Sequence, residues 1–202
     1  MRQAYINNQV LKIYRSMDII EFPIRVENII KEMPSCKIMA YSKLAKLSGS
    51  SIADIINLAQ SESGCTQYDR VHDRFLILYN DDNSNVDGRV RFTKAHEVGH
   101  VVLEHFAHLE CNTLSENGLS CLNNTEIEQE ADAFASTLLA PFPIAKDMGV
   151  SSAKDFEIKF GLSKEAAKIT MERFLRWKAS HRKTAWENDI KNAYRSRLTS
   201  GV

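Results

Sequence analysis

At 202 residues the chain is long enough to bury a substantial hydrophobic core, as one large domain or two small ones. Hydrophobic residues make up 44% and charged residues 26%, as in an ordinary globular protein, and a formal net charge of zero excludes a general attraction to nucleic acid or anionic lipid. The charge is uneven, because from residue 173 onward eight Lys or Arg residues stand against two acidic ones, a local net charge of about +6.

The first 26 residues mix charged with apolar positions and lack the apolar core of a signal peptide. No apolar run approaches the roughly 20 residues of a membrane span. The cysteines form no C-x-x-C pair; a disulfide between Cys111 and Cys121 is conceivable, but reduced thiols are favoured in a chain without an export signal. We therefore expect a cytoplasmic protein that does not enter a membrane.

Apolar spacing predicts the elements of the first 82 residues: helices over 3–17 and 22–32, the second starting near Pro23, a strand over 35–42, two short helices around Gly49 and a strand over 74–82. The two helices around Gly49 have the outline of a helix-turn-helix. Such outlines are common, so plain helical packing is favoured there over DNA binding.

The remaining residues are predicted to form a long helix over 89–106, for which Thr93 is a possible start, a polar loop over 107–124, a helix from 124 that stops at Pro141, two helices over 152–177 and a basic tail. The second of these long helices opens with Thr125 and Glu128 in capping-box spacing, which is a competing role for that glutamate.

The stretch RFTKAHEVGHVVLEH, residues 91–105, carries the first candidate site. His96 and His100 are one helical turn apart, so both can offer a ring nitrogen to one Zn²⁺ at about 2.0–2.1 Å. Glu97 lies about 100° around the helix, where it can approach a water on the metal and act as general base. Gly99 would leave room for a strand or a substrate to come close. A helix that merely carries histidines is the competing reading.

A catalytic zinc site usually needs a third protein ligand, and the stretch EIEQEAD supplies carboxylates on a second helix. Glu128 and Asp132 share a helix face, so Glu128 could bind the metal while Asp132 accepts a hydrogen bond from a ligating histidine. Glu126 and Glu130 point about 160° away and would be solvated if Glu128 faces inward. An acidic solvated helix face is the alternative, and spacing alone leaves Glu130 open as the third ligand.

The two motifs together, AHEVGHVVLEH and EIEQEADAFASTLLAP, resemble the zinc peptidase family that includes the anti-repressor ImmA and the radiation-response regulator IrrE. Its pattern is H-E-x-G-H, then E-x-x-A-N/D-x-F-A with L-L-x-P close behind, and the resemblance extends over about residues 35–175. Ala140 stands where Met is common in this family. The resemblance implies that His96, His100 and Glu128 bind zinc and that Glu97 is the general base, a gluzincin-like arrangement. Asp132 occupies the Asn-or-Asp position.

The fold that we expect is α+β: a small, mostly helical zincin-like domain with a short sheet over residues 1–145, a helical segment over 146–178 packed on it, and the basic tail over 179–202. An edge strand, for which 74–80 is the candidate, could bind an extended substrate by strand addition. Tyr79, His105 and His108 are possible stabilisers of an oxyanion, but none is assigned this role.

Because members of the family act on helix-turn-helix repressors, the resemblance implies a zinc endopeptidase that cleaves such a repressor of a prophage or mobile element. One alternative is a DNA-binding regulator that uses a helix-turn-helix over 153–178, although Glu165, Ala166 and Ala167 would offer little base-reading chemistry and direct nucleic-acid binding is not expected. The other is a zinc protein that sequesters its partner without cutting it, against which the intact Glu97 argues.

Overall fold

The computed structural model describes residues 1–16, 21–82, 87–108, 113–115, 125–180 and 183–199. Its helices are α1 (Gln3–Ser16), α2 (Val26–Lys31), α3 (Tyr41–Ser48), α4 (Ile52–Ala59), α5 (Asp87–Val102), α6 (Thr125–Leu139), α7 (Phe142–Asp147), α8 (Ala153–Phe160), α9 (Lys164–Ser180) and α10 (Ala185–Thr199). A short 3-10 helix, His105–His108, follows α5. The strands are β1 (Cys36–Ala40), β2 (Gly64–Asp69), β3 (Arg74–Tyr79) and β4 (Thr113–Ser115). Cys111, Cys121 and most of the predicted loop over 107–124 lie outside the described residues.

The strands form one sheet in the order β1-β3-β2-β4. β1 pairs parallel with β3, and β2 pairs antiparallel with both β3 and β4. The expected α+β architecture, mostly helical with a small sheet, is confirmed. The suggestion that 74–80 forms an edge strand is wrong, because both sides of β3 are hydrogen-bonded to neighbours. The outermost described strands are β1 and β4.

The two faces of the sheet are covered by different helices. Ile77 and Leu78 are adjacent in β3 and therefore point to opposite faces. Ile77 packs in a core cluster with residues of α1, α2, α5 and α6. Leu78 packs with residues of α3 and α4. Thr66 of β2 is paired with Ile77, so its side chain lies on the face that carries α5.

The helices α5 and α6 pack against each other closely at Gly99. A Cβ atom at this position would lie 3.0 Å from Cδ1 of Phe134 and 3.3 Å from Cα of Ala131. The missing side chain therefore makes room for α6, and not for a strand or a substrate as the sequence suggested. α5 also begins at Asp87 and not at Thr93, which is buried inside the helix.

The C-terminal helices pack in two different places: α8 and α9 form a separate cluster, and α10 joins the main core. The three-residue turn after α8 contains Gly161 at φ +63°, and Phe156, Phe160 and Phe174 are buried together with residues near α7. The segment predicted as a basic tail contains α10, in which Ile190 is fully buried and joins the core cluster shared with α1. Among the described residues, no helix is long and apolar enough to cross a membrane.

Candidate metal centre

Three side chains from two helices converge on one point between α5 and α6. His96 and His100 face α6 from successive turns of α5, with their Nε2 atoms 3.0 Å apart. Glu128, in the first turn of α6, places Oε2 3.1 Å from Nε2 of His96 and Oε1 3.6 Å from Nε2 of His100. The imidazoles are buried, with relative exposures of 8% and 1%, and Glu128 is half-buried. Its carboxylate therefore faces the histidines, and not the helix start that its capping-box spacing suggested.

The hydrogen bonds around the two imidazoles indicate that each ring presents its Nε2 atom to this point. Nδ1 of His96 lies 2.9 Å from Oδ1 of Asp132, and an ionised carboxylate can only accept, so in the neutral imidazole Nδ1 carries the proton and Nε2 presents a lone pair. Nδ1 of His100 likewise has a partner, Nδ1 of His105 at 2.9 Å. Two bare ring nitrogens and a carboxylate oxygen in contact repel one another unless a cation lies between them.

The distances match those expected of metal ligands. Two ligand atoms bound tetrahedrally at about 2.0–2.1 Å are about 3.3 Å apart. Nε2 of His96 lies 3.0 Å from Nε2 of His100 and 3.1 Å from Oε2 of Glu128, and Nε2 of His100 lies 3.6 Å from the other carboxylate oxygen, Oε1. His96, His100 and Glu128 thus form a group whose ligand atoms lie within 4.8 Å of one another and that could hold a metal ion.

The charges of the site also favour a cation. Burial raises the pKa of Glu128, but hydrogen bonds with His100 and His96 outweigh it and lower that pKa well below the usual range, so the carboxylate stays ionised. Burial lowers the pKa of His96, and the hydrogen bonds with Asp132 and Glu128 override this effect and raise it to about 10. Without a metal ion, a proton on His96 balances the negative charge of Glu128. A bound metal ion would replace that proton.

Glu97 lies beside this group on the side of the sheet. It is only 2% exposed, and its Oε2 accepts a hydrogen bond of 2.7 Å from Oγ1 of Thr66. Burial raises the pKa of Glu97, against the opposing influence of His100 and His96. A carboxyl group whose pKa is raised by burial can both accept and return a proton, which is what a general base in a peptidase must do.

Glu130 corrects one expectation drawn from the sequence. It was expected to be solvated, but it is 4% exposed and forms an ion pair with Arg2, at 2.7 Å between Oε2 and Nη2. The physical reason is that the side of α6 away from Glu128 faces the start of α1 and the 3-10 helix instead of solvent. Glu126, by contrast, has a side chain that is 66% exposed. Of the two candidates for third ligand, Glu128 is the one that the structure brings to the histidines.

Of Tyr79, His105 and His108, the three possible stabilisers of an oxyanion, only His105 is seen to lie beside the site. His105 is buried against His100 and lies 3.4 Å from Oε2 of Glu130. Tyr79 is instead covered by the ammonium group of Lys94, 4.0 Å from the ring centre. The side chain of His108 lies outside the described residues. The only sequence signal for His105 was its position just beyond the last turn of the helix that carries His100.

The fold and this site define a metallopeptidase-type protein, and a comparison with known families agrees. The family model Peptidase_M78, described as the IrrE N-terminal-like domain, matches residues 55–172, which is more than half of the chain. The chain therefore belongs to this family of metal-dependent peptidases, as the ImmA/IrrE resemblance implied. A search of curated proteins found no match. The matched range contains α5, α6 and α8 together with about half of α9.

Proposed function

We propose that this protein is a gluzincin-like zinc endopeptidase, with His96, His100 and Glu128 as metal ligands. The observation that carries the proposal is the convergence of two imidazole nitrogens and one carboxylate oxygen within 4.8 Å of one another. Two nitrogen ligands and one oxygen ligand are the donor set of several catalytic zinc sites, which keep a fourth position open. Zinc, when bound, lowers the pKa of water to about 7 and polarises the scissile carbonyl.

The residues around the ligands have separate roles in this proposal. A carboxylate oxygen of Glu97 accepts a proton from the attacking water, and Glu97 then delivers this proton to the leaving amine. Thr66 holds the other side of that carboxylate through its hydroxyl group. Asp132 accepts the Nδ1 proton of His96, which fixes the ring with Nε2 toward the metal.

The substrate that we propose is a helix-turn-helix transcriptional repressor of a prophage or mobile element. This part rests on the resemblance to the ImmA/IrrE family, whose members act on such repressors. The DNA-binding alternative has less support, because α8 lies inside the range that matches the peptidase family and Phe156 and Phe160 are buried in the protein core. In the sequestering alternative the protein binds the repressor without cutting it, so the general base Glu97 would not be needed.

The experiment compares wild-type protein with Glu97→Gln in cells that naturally carry the gene, by mapping newly formed protein N-termini. Glu97→Gln keeps the metal ligands and removes the base, so it is the matched control for binding without cleavage. The proposal predicts new N-termini within a helix-turn-helix repressor in the presence of the wild type only. The same new N-termini with both proteins would contradict the role of Glu97, and relief of repression by both without cleavage would favour sequestration. New N-termini confined to other proteins would contradict the substrate.

A further inference from the structure

The second ligand histidine has an imidazole, and not a carboxylate, as its outer partner. Nδ1 of His100 and Nδ1 of His105 lie 2.9 Å apart, with the two ring centres separated by 5.1 Å. His105 reaches this position because the chain turns just after α5 at Glu104, which adopts the left-handed conformation at φ 60°. This conformation is uncommon for a residue other than glycine, and here it turns the next side chain back toward α5.

The proton positions along this contact follow from the metal site. If Nε2 of His100 presents its lone pair to a metal, Nδ1 must carry the ring proton and donate it to Nδ1 of His105. Nδ1 of His105 is then an acceptor, so the proton of His105 is on Nε2. That nitrogen faces Oε2 of Glu130 at 3.4 Å, a long hydrogen bond to a buried carboxylate.

Glu130 is in turn fixed by the start of α1. The main-chain N–H of Arg2 donates to Oε1 at 2.7 Å, and the guanidinium donates to Oε2 from Nη2 at 2.7 Å and to Oε1 from Nε at 3.2 Å. The carboxylate therefore accepts bidentate, charge-assisted hydrogen bonds, which are strong and directional. Arg2 and Glu130 are 128 positions apart in the sequence.

We propose that His105, Glu130 and Arg2 are positioning residues that fix the tautomer and the ring orientation of His100. Each ligand histidine then depends on a carboxylate of α6: His96 on Asp132 directly, and His100 on Glu130 through His105. The ordinary alternative is that the Arg2–Glu130 pair only attaches α1 to α6. This inference rests on the metal site of the proposed function.

The decisive experiment measures zinc affinity by competition with a chromophoric chelator, and the visible absorption spectrum of the Co²⁺-loaded full chain. His105→Leu removes the acceptor for His100, and Arg2→Met removes the charge that holds Glu130. Loss of such outer partners typically weakens metal binding about 10–100-fold, which is the effect that we expect for His105→Leu, with about tenfold for Arg2→Met. We also expect the Co²⁺ absorption bands to shift in both variants, because the orientation of a ligand ring changes.

Two conservative variants and one control separate positioning from attachment. His105→Asn places an amide oxygen close to the original Nδ1 and should restore most of the zinc affinity that His105→Leu loses. Arg2→Lys retains a charge and should bind more tightly than Arg2→Met. Arg15→Met breaks the exposed ion pair of Arg15 with Asp189, 3.5 Å long, which joins α1 to α10 away from the site, and should leave affinity and spectrum unchanged.

Wild-type affinity and an unchanged Co²⁺ spectrum in His105→Leu and Arg2→Met would overturn the inference and leave the proposed metal site intact. Failure of the wild type to bind zinc or Co²⁺ would overturn both. If His105→Leu does not fold, as judged by circular dichroism, Arg2→Met decides, since the Arg2 side chain is 54% exposed and its truncation leaves no cavity in the core.

Discussion

The hydroxyl group of Thr66, on the middle of β2, donates a 2.7 Å hydrogen bond to Oε2 of Glu97 on α5. Both groups are buried, with relative exposures of 0% and 2%. The sheet thus holds one carboxylate oxygen of the proposed general base, while α5 itself carries the two histidines. A buried carboxylate without this partner would be left with an unsatisfied oxygen and a less defined orientation.

Replacing Thr66 by Val should slow peptide-bond cleavage without releasing the metal. Val has nearly the same shape as Thr but no hydroxyl group, and a hydrogen bond to a charged group contributes about 1.5–3 kcal/mol. The corresponding loss in kcat is about 10–100-fold, to be measured on the substrate found by mapping N-termini. Thr66→Ser keeps the hydroxyl group and should retain most of the activity. A Val variant that cleaves at the wild-type rate would show that Glu97 does not depend on Thr66.

Asp132 provides a graded test of how His96 is held. Asp132→Ala removes the acceptor for Nδ1 of His96 and should weaken zinc binding by about 10–100-fold. Asp132→Asn retains a carbonyl oxygen at the same position, so its affinity should lie between those of the wild type and Asp132→Ala. Competition with a chelator measures both. Equal affinities in all three proteins would mean that the contact of 2.9 Å does not orient His96.

Gly99→Ala tests whether close packing of α5 on α6 sets the metal geometry. The added methyl group would meet Phe134 at 3.0 Å and the main chain of Ala131 at 3.3 Å, so these neighbours must give way by a few tenths of an ångström. Overpacking costs about 1–3 kcal/mol, and the better helix propensity of Ala returns at most about 1 kcal/mol. We therefore expect unfolding by denaturant to show a stability lower by about 1 kcal/mol, together with weaker zinc binding.

The control for this variant is the same substitution made together with Phe134→Leu, which removes the nearest contact atom. The stability penalty of Gly99→Ala should be smaller in that background, because the two positions are in contact and their effects do not add. An equal penalty in both backgrounds would mean that the ring of Phe134 is not what the methyl group displaces.

The sequence indicated which side chains lie together because much of that information is local. Residues four apart on a helix share a face whatever the rest of the chain does, so helical periodicity pairs His96 with His100 and Glu128 with Asp132. Bringing the two helices together required the family pattern. Helical spacing alone could not choose Glu128 over Glu130, because that choice depends on what packs on each side of α6.

The errors arose where distant segments meet. Glu130 was expected in solvent because no pattern reveals that Arg2, at the other end of the domain, lies against it. β3 was taken for an edge strand because β2, with the sequence GCTQYD, has little apolar alternation and was not predicted. Thr93 is a good capping residue and was a possible start of the helix predicted over 89–106, but tertiary packing extends α5 back to Asp87 and buries Thr93 within it.

The most direct test of the metal site is zinc stoichiometry by native mass spectrometry, with Glu128→Ala compared with Glu126→Ala. Glu126 is the exposed neighbour on the same turn of α6, so its variant controls for loss of an acidic side chain near the site. We predict about one zinc ion per chain for the wild type and for Glu126→Ala, and none for Glu128→Ala, because two histidines alone hold zinc weakly. A wild type without zinc, or Glu128→Ala with a full complement of it, would contradict the assignment of His96, His100 and Glu128 as the metal ligands.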